Sequence, residues 1–348
     1  MALFKSGGSV GLDLDSGVIR AVELKRKAKN VVLAAAGRVE IPFHAVAEGI
    51  IADVDAVAGA LKKLWKDSRI SGREVTVGLS NQGVLMRMAR LPKVPEKHLA
   101  RVIHYQAGDY FPIPLDQMVL DFSLTGEVAG ENGPEMEVLL VAARRDMLDR
   151  YLDVLSLASL RPLVVDASSL ALLRVMPEEH QAKTAAVLDI SSGWSCSLLI
   201  AEKGVPRLAR DISQSLSPFR ETGRSPGPDE DVRGLAAAAL DGDLPPAAAH
   251  GGDEGWLTAL VNEVRSTIGY YHAQRSAEPV GLLFLSGAGA RRANLPAVLE
   301  EELDLPVEVA RPLAALNGPL PESCSFINTE EPDFAVCFGL ALRGLESK

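Results

Sequence analysis

One short unit occurs twice in this chain: "VGLDLDSGVIRAVELK", Val10 to Lys25, and "AVLDISSGWSCSLLIAEKG", Ala186 to Gly204. Each copy runs apolar residues into an aspartate, turns at Ser-Gly, and leaves in a second apolar run, which is the pattern of a β-hairpin. A duplicated hairpin at such wide separation restricts the chain to two related α/β halves, each opened by one copy. An aspartate at the end of a buried strand is costly unless it is used or capped. A tight turn directly after it presents backbone N–H groups. Two such turns face to face make a cradle for a polyphosphate, and Asp13 and Asp189 can hold a hydrated magnesium ion through its waters. A third loop, Ser286-Gly287-Ala288-Gly289-Ala290, lies between an apolar run and a helical pattern, where bare backbone can approach a ligand. The candidate binding residues are therefore Asp13, Ser16, Gly17, Asp189, Ser192, Gly193, Gly287, Ala288 and Gly289, with Asp13 and Asp189 as the metal-side pair. Any one of these loops alone reads more simply as a turn that uses Gly and Ser for its geometry. All three, in this order, favour the cradle.

Along the chain, Val10–Asp15, Ile19–Lys25 and Val31–Ile41 read as strands, Val54–Lys66 as a helix with Val57, Leu61, Leu64 and Trp65 on one face, and Glu74–Ser80 as a strand. The next block is of another kind. "VLMRMARLP" alternates, Pro95 and Glu96 open a helix through Ala107, and "YFPIPLDQMVLDFSL" carries prolines that stop the helix before a new strand. Met136–Arg144 reads as a strand and Asp146–Ala158 as a helix. In the second half, Ser217–Gly252 is rich in Pro, Gly and Ala and is expected to be flexible or a reduced subdomain, before a helix over Trp256–Ala273. An apolar helix, Ala335–Leu345, closes the chain.

The 348 residues suffice for two lobes with substantial cores. A net charge of −10 speaks against nucleic acid and anionic membrane as partners. The three cysteines have no metal-ligand spacing and read as buried thiols of a reducing compartment. The opening "MALFKSGGSV" lacks the apolar core of a signal peptide, and no apolar run reaches the roughly 18 residues of a membrane span. The expected location is cytoplasmic, with any contact to the inner membrane made through a partner.

The order of these segments resembles the actin-like ATPase superfamily and, within it, the PilM family of type IV pilus assembly proteins, relatives of the cell-division protein FtsA. "GLDLDSGVIRAVELK" and "AVLDISSG" are similar to its two phosphate motifs, "LLFLSGAGARRANLPAVLEEELDLPVEV" to its adenosine motif, "EVRSTIGYY" to its connecting helix and "FAVCFGLALRGL" to its closing helix. "HYQAGDYFPIPLDQMVLDF" resembles its most distinctive segment, an amphipathic helix ending in a Pro-bracketed turn. The resemblance implies an actin-like fold of two ribonuclease-H-like lobes. The first lobe would span 1–83 and 143–180 with an inserted subdomain at 84–142, the second 181–333, and a closing helix, 334–348, would return to the first. It also implies ATP with Mg in the cleft. As partners it implies the cytoplasmic tail of a PilN-like membrane protein, in a groove within the Ile70–Phe122 region, and the pilus motor ATPases.

The chain departs from that pattern at two points. Asp15 and Ser191 stand where the family carries glycine, and no Gly-Gly turn or Glu/Lys helix follows Asp211. Weak or absent ATP hydrolysis is the expectation, and no residue reads as catalytic: Ser195 and Cys196 lack a partnered base. Two other readings are a nucleotide-binding actin-like protein of a related secretion system and a superfamily kinase. The kinase reading lacks an acceptor pocket with a catalytic Asp. Tyr270 and Tyr271 read as packing residues, and Arg144, Arg145, Arg291 and Arg292 as solvated faces or helix-start contacts.

Overall fold

The computed structural model describes residues 8–347 apart from 29, 48, 81–82, 131–132, 193–194, 213–215, 217–251 and 275–276. Gly193 and all but the last residue of the Pro-, Gly- and Ala-rich segment thus lie outside the described residues. The first lobe opens with an antiparallel meander of β1 (Gly8–Asp15), β2 (Val18–Lys27) and β3 (Asn30–Glu40). A small ladder of β4 (Val46–Ala47) and β5 (Ile50–Ile51) leads to α1 (Val54–Ser68). Asp53 caps α1 by accepting the Ala56 N–H, and the helix buries Val57, Leu61, Leu64 and Trp65, the face its periodicity marks. β6 (Glu74–Leu79) then runs parallel to β1.

The chain next leaves the lobe. β7 (Val84–Pro92), α2 (Glu96–Tyr110), β8 (Met118–Gly130) and β9 (Gly133–Arg144) form a separate three-stranded sheet in the order β7-β9-β8. Leu99, Ile103 and Ala107 of α2, with Phe111 after it, pack on Ala89, Leu91, Val138 and Leu140 of the sheet. α2 stops ahead of Pro112 and Pro114, which cannot continue a helix. The chain returns through α3 (Arg145–Leu157), β10 (Arg161–Ala167), α4 (Ser168–Leu173) and α5 (Glu178–Gln181).

The second lobe holds β11 (Thr184–Ile190), β12 (Cys196–Glu202), β13 (Val205–Asp211), α6 (Gly252–His272), β14 (Leu282–Ser286), α7 (Leu295–Leu303), β15 (Val307–Val309) and α8 (Ile327–Glu330), before α9 (Ala335–Glu346). The two main sheets repeat one topology. The first reads β3-β2-β1-β6-β10 and the second β13-β12-β11-β14-β15, each with an antiparallel meander and two parallel additions. These are the two related α/β halves that the duplicated hairpin implied.

The strand β13 and the exposure of Tyr270 were not anticipated from the sequence. β13, "VPRLARD", mixes Pro, Arg and Asp into its run and is half-buried on the edge of its sheet, so its period is blurred. Tyr270 is 63% exposed, whereas its neighbour Tyr271 is buried, so only the second packs as expected. α9 lies in the core between β1, β2, β6 and α4. It passes α4 so closely that a Cβ on Gly339 would sit 2.0 Å from the Ala171 carbonyl oxygen.

Candidate functional site

The site lies where the two duplicated hairpins meet. In the first, the β1–β2 register pairs Asp13 with Arg20 and Asp15 with Val18. The two-residue period of a strand puts both aspartates on one face, and Arg20 stands across from Asp13 on the same face. Ser16 and Gly17 make the turn, closed against the next strand by the Ile41 N–H bonding to the Gly17 carbonyl at 2.9 Å. In the second hairpin, Asp189, next to last in β11, pairs between Ser197 of β12 and Ser286 of β14. The Ser286 hydroxyl donates to Asp189 Oδ1 at 2.8 Å.

The two turns are joined through Asp15. Its Oδ1 accepts the Ser16 N–H at 2.7 Å, from its own turn. Its Oδ2 accepts the Ser192 N–H at 2.9 Å, from the turn of the other lobe. Arg20, whose side chain is 2% exposed, donates through Nη1 to Asp15 Oδ2 at 3.3 Å, and through Nη2 to Ser192 Oγ. Nη1 is also 4.0 Å from Asp13, and Nη2 is 3.8 Å from Asp333, just ahead of α9. Asp333 in turn accepts two bonds from Arg291, at 2.8 and 3.0 Å. Ser191, the second non-glycine position, takes no part: its hydroxyl finds no partner among the described residues.

Burial in this cluster shifts the carboxyls that Arg20 serves least. Loss of solvent, with repulsion from Asp15, pushes Asp13 up to about 7 while Arg20 pulls the other way. Loss of solvent also raises Asp189 to about 6, opposed by the Ser286 hydrogen bond. Among the described residues of the cleft, four aspartates thus face two arginines. Among the described residues no group of three His, Cys, Asp or Glu could hold a metal ion directly.

The structure therefore brings Asp13, Ser16, Gly17, Asp189 and Ser192 together, with Gly287, Ala288 and Gly289 on the adjoining turn after β14. Gly287 has a local reason of its own. It sits at φ 82°, and a Cβ there would lie 2.2 Å from the Ile190 carbonyl oxygen, so its glycine serves the packing of this turn on β11. Sequence reasoning missed Arg20, Asp333 and Arg291. Arg20 carries a legible signal: it is a cation inside a strand whose neighbours are all apolar, opposite an aspartate. Asp333 and Arg291 carry none, because their pairing joins distant loops. Arg291, read as a solvated or helix-start residue, is instead tied to a buried carboxylate. Arg292 stacks over Trp256 at 5.4 Å, and Arg144 does pair with Asp146 at the start of α3.

A second feature lies where the inserted subdomain meets α3. A groove of about 470 Å³ runs between the Pro-bracketed turn after α2 (Pro112, Ile113, Pro114, Gln117) and the first turns of α3 (Arg145, Asp149). Arg145 ties its walls together by donating to the carbonyls of Asp116 at 3.3 Å and Met118 at 3.1 Å.

The family model described as "Type IV pilus assembly protein PilM" matches residues 11–211 and 236–345. Among solved structures, a PilM-PilN type IV pilus biogenesis complex superposes with a TM-score of 0.80 at 24% identity, over 97% of this chain and 98% of that one. The ethanolamine utilization protein EutJ from Carboxydothermus hydrogenoformans gives a TM-score of 0.50 at 12% identity, over 97% and 89%. A diol dehydratase-reactivating factor in nucleotide free form gives 0.51 at 10% identity, over 97% and 99%. The fold is thus the actin-like one, of the PilM variety.

Proposed function

The chain belongs to the PilM family of type IV pilus assembly proteins, and from that premise we propose that it is a cytoplasmic adaptor that holds the tail of a PilN-like membrane protein. The observation that carries the reading is the inserted subdomain with its groove against α3, in a chain of the PilM family that superposes over nearly its whole length on a chain of a PilM-PilN complex. An extended peptide seated there would find apolar contact at Ile113 and the prolines, and polar groups on the α3 wall. No helix among the described residues is long and apolar enough to cross a membrane. A relay to the pilus motor ATPases belongs to the same reading.

The resemblance also implied ATP with Mg in the cleft. The residues present do not fit it: the backbone N–H groups of Ser16 and Ser192, which a phosphate would need, are bonded to the Asp15 carboxylate. No turnover step is assigned to this chain.

The adaptor reading is tested by titrating a fluorescent peptide of the tail into the purified chain and following anisotropy. Saturable binding is expected, weakened at least tenfold by Ile113→Asp, a change of about 1.4 kcal/mol. Gln117→Trp, which fills the groove from an exposed position, should weaken it comparably with an unchanged melting temperature. Equal binding by the wild type and Gln117→Trp would reject this groove.

A further inference from the structure

We infer that the Asp15 carboxylate is a built-in anion, seated between the two hairpin turns where a phosphate would sit, so that the lobes of this chain close without nucleotide. This goes beyond the adaptor reading and does not depend on it. The geometry is specific. One carboxylate takes one backbone N–H from each duplicated turn, Ser16 at 2.7 Å and Ser192 at 2.9 Å, across the interlobe cleft. Arg20 lies against the same oxygen at 3.3 Å and bonds Ser192 Oγ, supplying the positive charge that a cation would bring to a bound phosphate. The connection continues through Asp333 to Arg291 on the turn after β14, so both lobes and the segment before α9 are tied to one buried guanidinium.

The chemistry explains why glycine is absent at this position. Glycine would leave both N–H groups free for a ligand. Aspartate satisfies them internally, and it places a negative charge where a polyanion must enter. Backbone N–H groups in a buried cleft are costly to leave unpaired. The chain has therefore exchanged a ligand-dependent closure for a permanent one. The class of ligand that the seat would accept once vacated is a small tetrahedral oxyanion, free or at the end of a nucleotide.

The test uses the full chain as wild type, Asp15→Gly and Asp15→Asn, with inorganic phosphate as probe and thermal melting as readout. Asp15→Gly should melt lower than the wild type, by roughly 5 °C, because two N–H groups and Arg20 lose their acceptor. Inorganic phosphate at about 10 mM should recover most of that loss. The wild type should not respond. Asp15→Asn, which keeps the volume and one acceptor without the charge, should fall between the two and respond weakly. If Asp15→Gly proves too unstable to purify, Asp15→Ser carries the same comparison. A wild type that phosphate or Mg-ATP stabilises as much as the glycine variant would overturn the inference, and so would an Asp15→Gly that melts with the wild type.

Discussion

Replacing Arg20 by Met asks whether the interlobe cluster is held by charge. The substitution keeps the apolar stem of a side chain that is 2% exposed and removes the charged, hydrogen-bonding end. Asp15 at 3.3 Å and Asp13 at 4.0 Å then lose their cation, and Asp333, 3.8 Å from Arg20, keeps only Arg291. Each such pair is worth about 4 kcal/mol at an effective dielectric near 20, before the cost of desolvating the arginine is subtracted. Breaking a buried pair by removing one partner nets roughly 3–5 kcal/mol of lost stability. For a chain of this size that corresponds to a melting temperature lower by about 5 °C at pH 7.5. The loss should shrink at pH 5.5, because Asp13 and Asp189 already hold protons up to about 7 and about 6, and losing Arg20 moves both further up. Protonated, the stranded groups no longer repel one another or Asp15 and Asp333. Circular dichroism melts at the two pH values measure both effects. A variant within about 2 °C of the wild type at pH 7.5, or a loss that grows on acidification, would refute the cluster as described.

Two further predictions follow from single contacts. Asp13 is raised in the folded chain, so between its ordinary value and about 7 the folded state binds a proton that the unfolded state does not, and stability declines as pH rises through that window. Asp13→Asn removes this term. Its unfolding free energy relative to wild type, from urea melts, should therefore climb from pH 5 to pH 7, on the order of 1 kcal/mol per pH unit, and a flat difference across that range would contradict it. Gly339→Ala would drive a methyl to 2.0 Å from the Ala171 carbonyl oxygen, backbone against backbone. It should cost about 1–3 kcal/mol as overpacking in urea unfolding, and an unchanged midpoint would mean that α9 is not seated as described.

The hairpins were the most legible part of the fold, and the reason is physical. An apolar run, an aspartate and a Ser-Gly turn encode strand, end and reversal within fifteen residues, and twice over. α1 and α2 were legible for the same cause: an apolar face at helical period, and prolines that mark where α2 must begin and stop. β13 was not, because an edge strand needs only one good face and tolerates Pro and Arg. The site divided along the same line. Asp13, Asp189 and the turn serines could be named because their roles are local to a motif. What Asp15 does could not be read, since its partner Ser192 is contributed by the other lobe. The sequence marked Asp15 as a departure from glycine. Only the approach of the second turn shows that the departure fills the seat.

The central claim is that this chain reaches the membrane by holding a partner's tail. The most direct test is flotation of the purified chain, without nucleotide, on lipid vesicles that carry the full-length PilN-like protein, beside empty vesicles of the same lipid. The account predicts that the chain rises with the loaded vesicles, stays behind with the empty ones, and is unmoved in either case by Mg-ATP. A chain that remains at the bottom with loaded vesicles, or rises with empty ones, would contradict it.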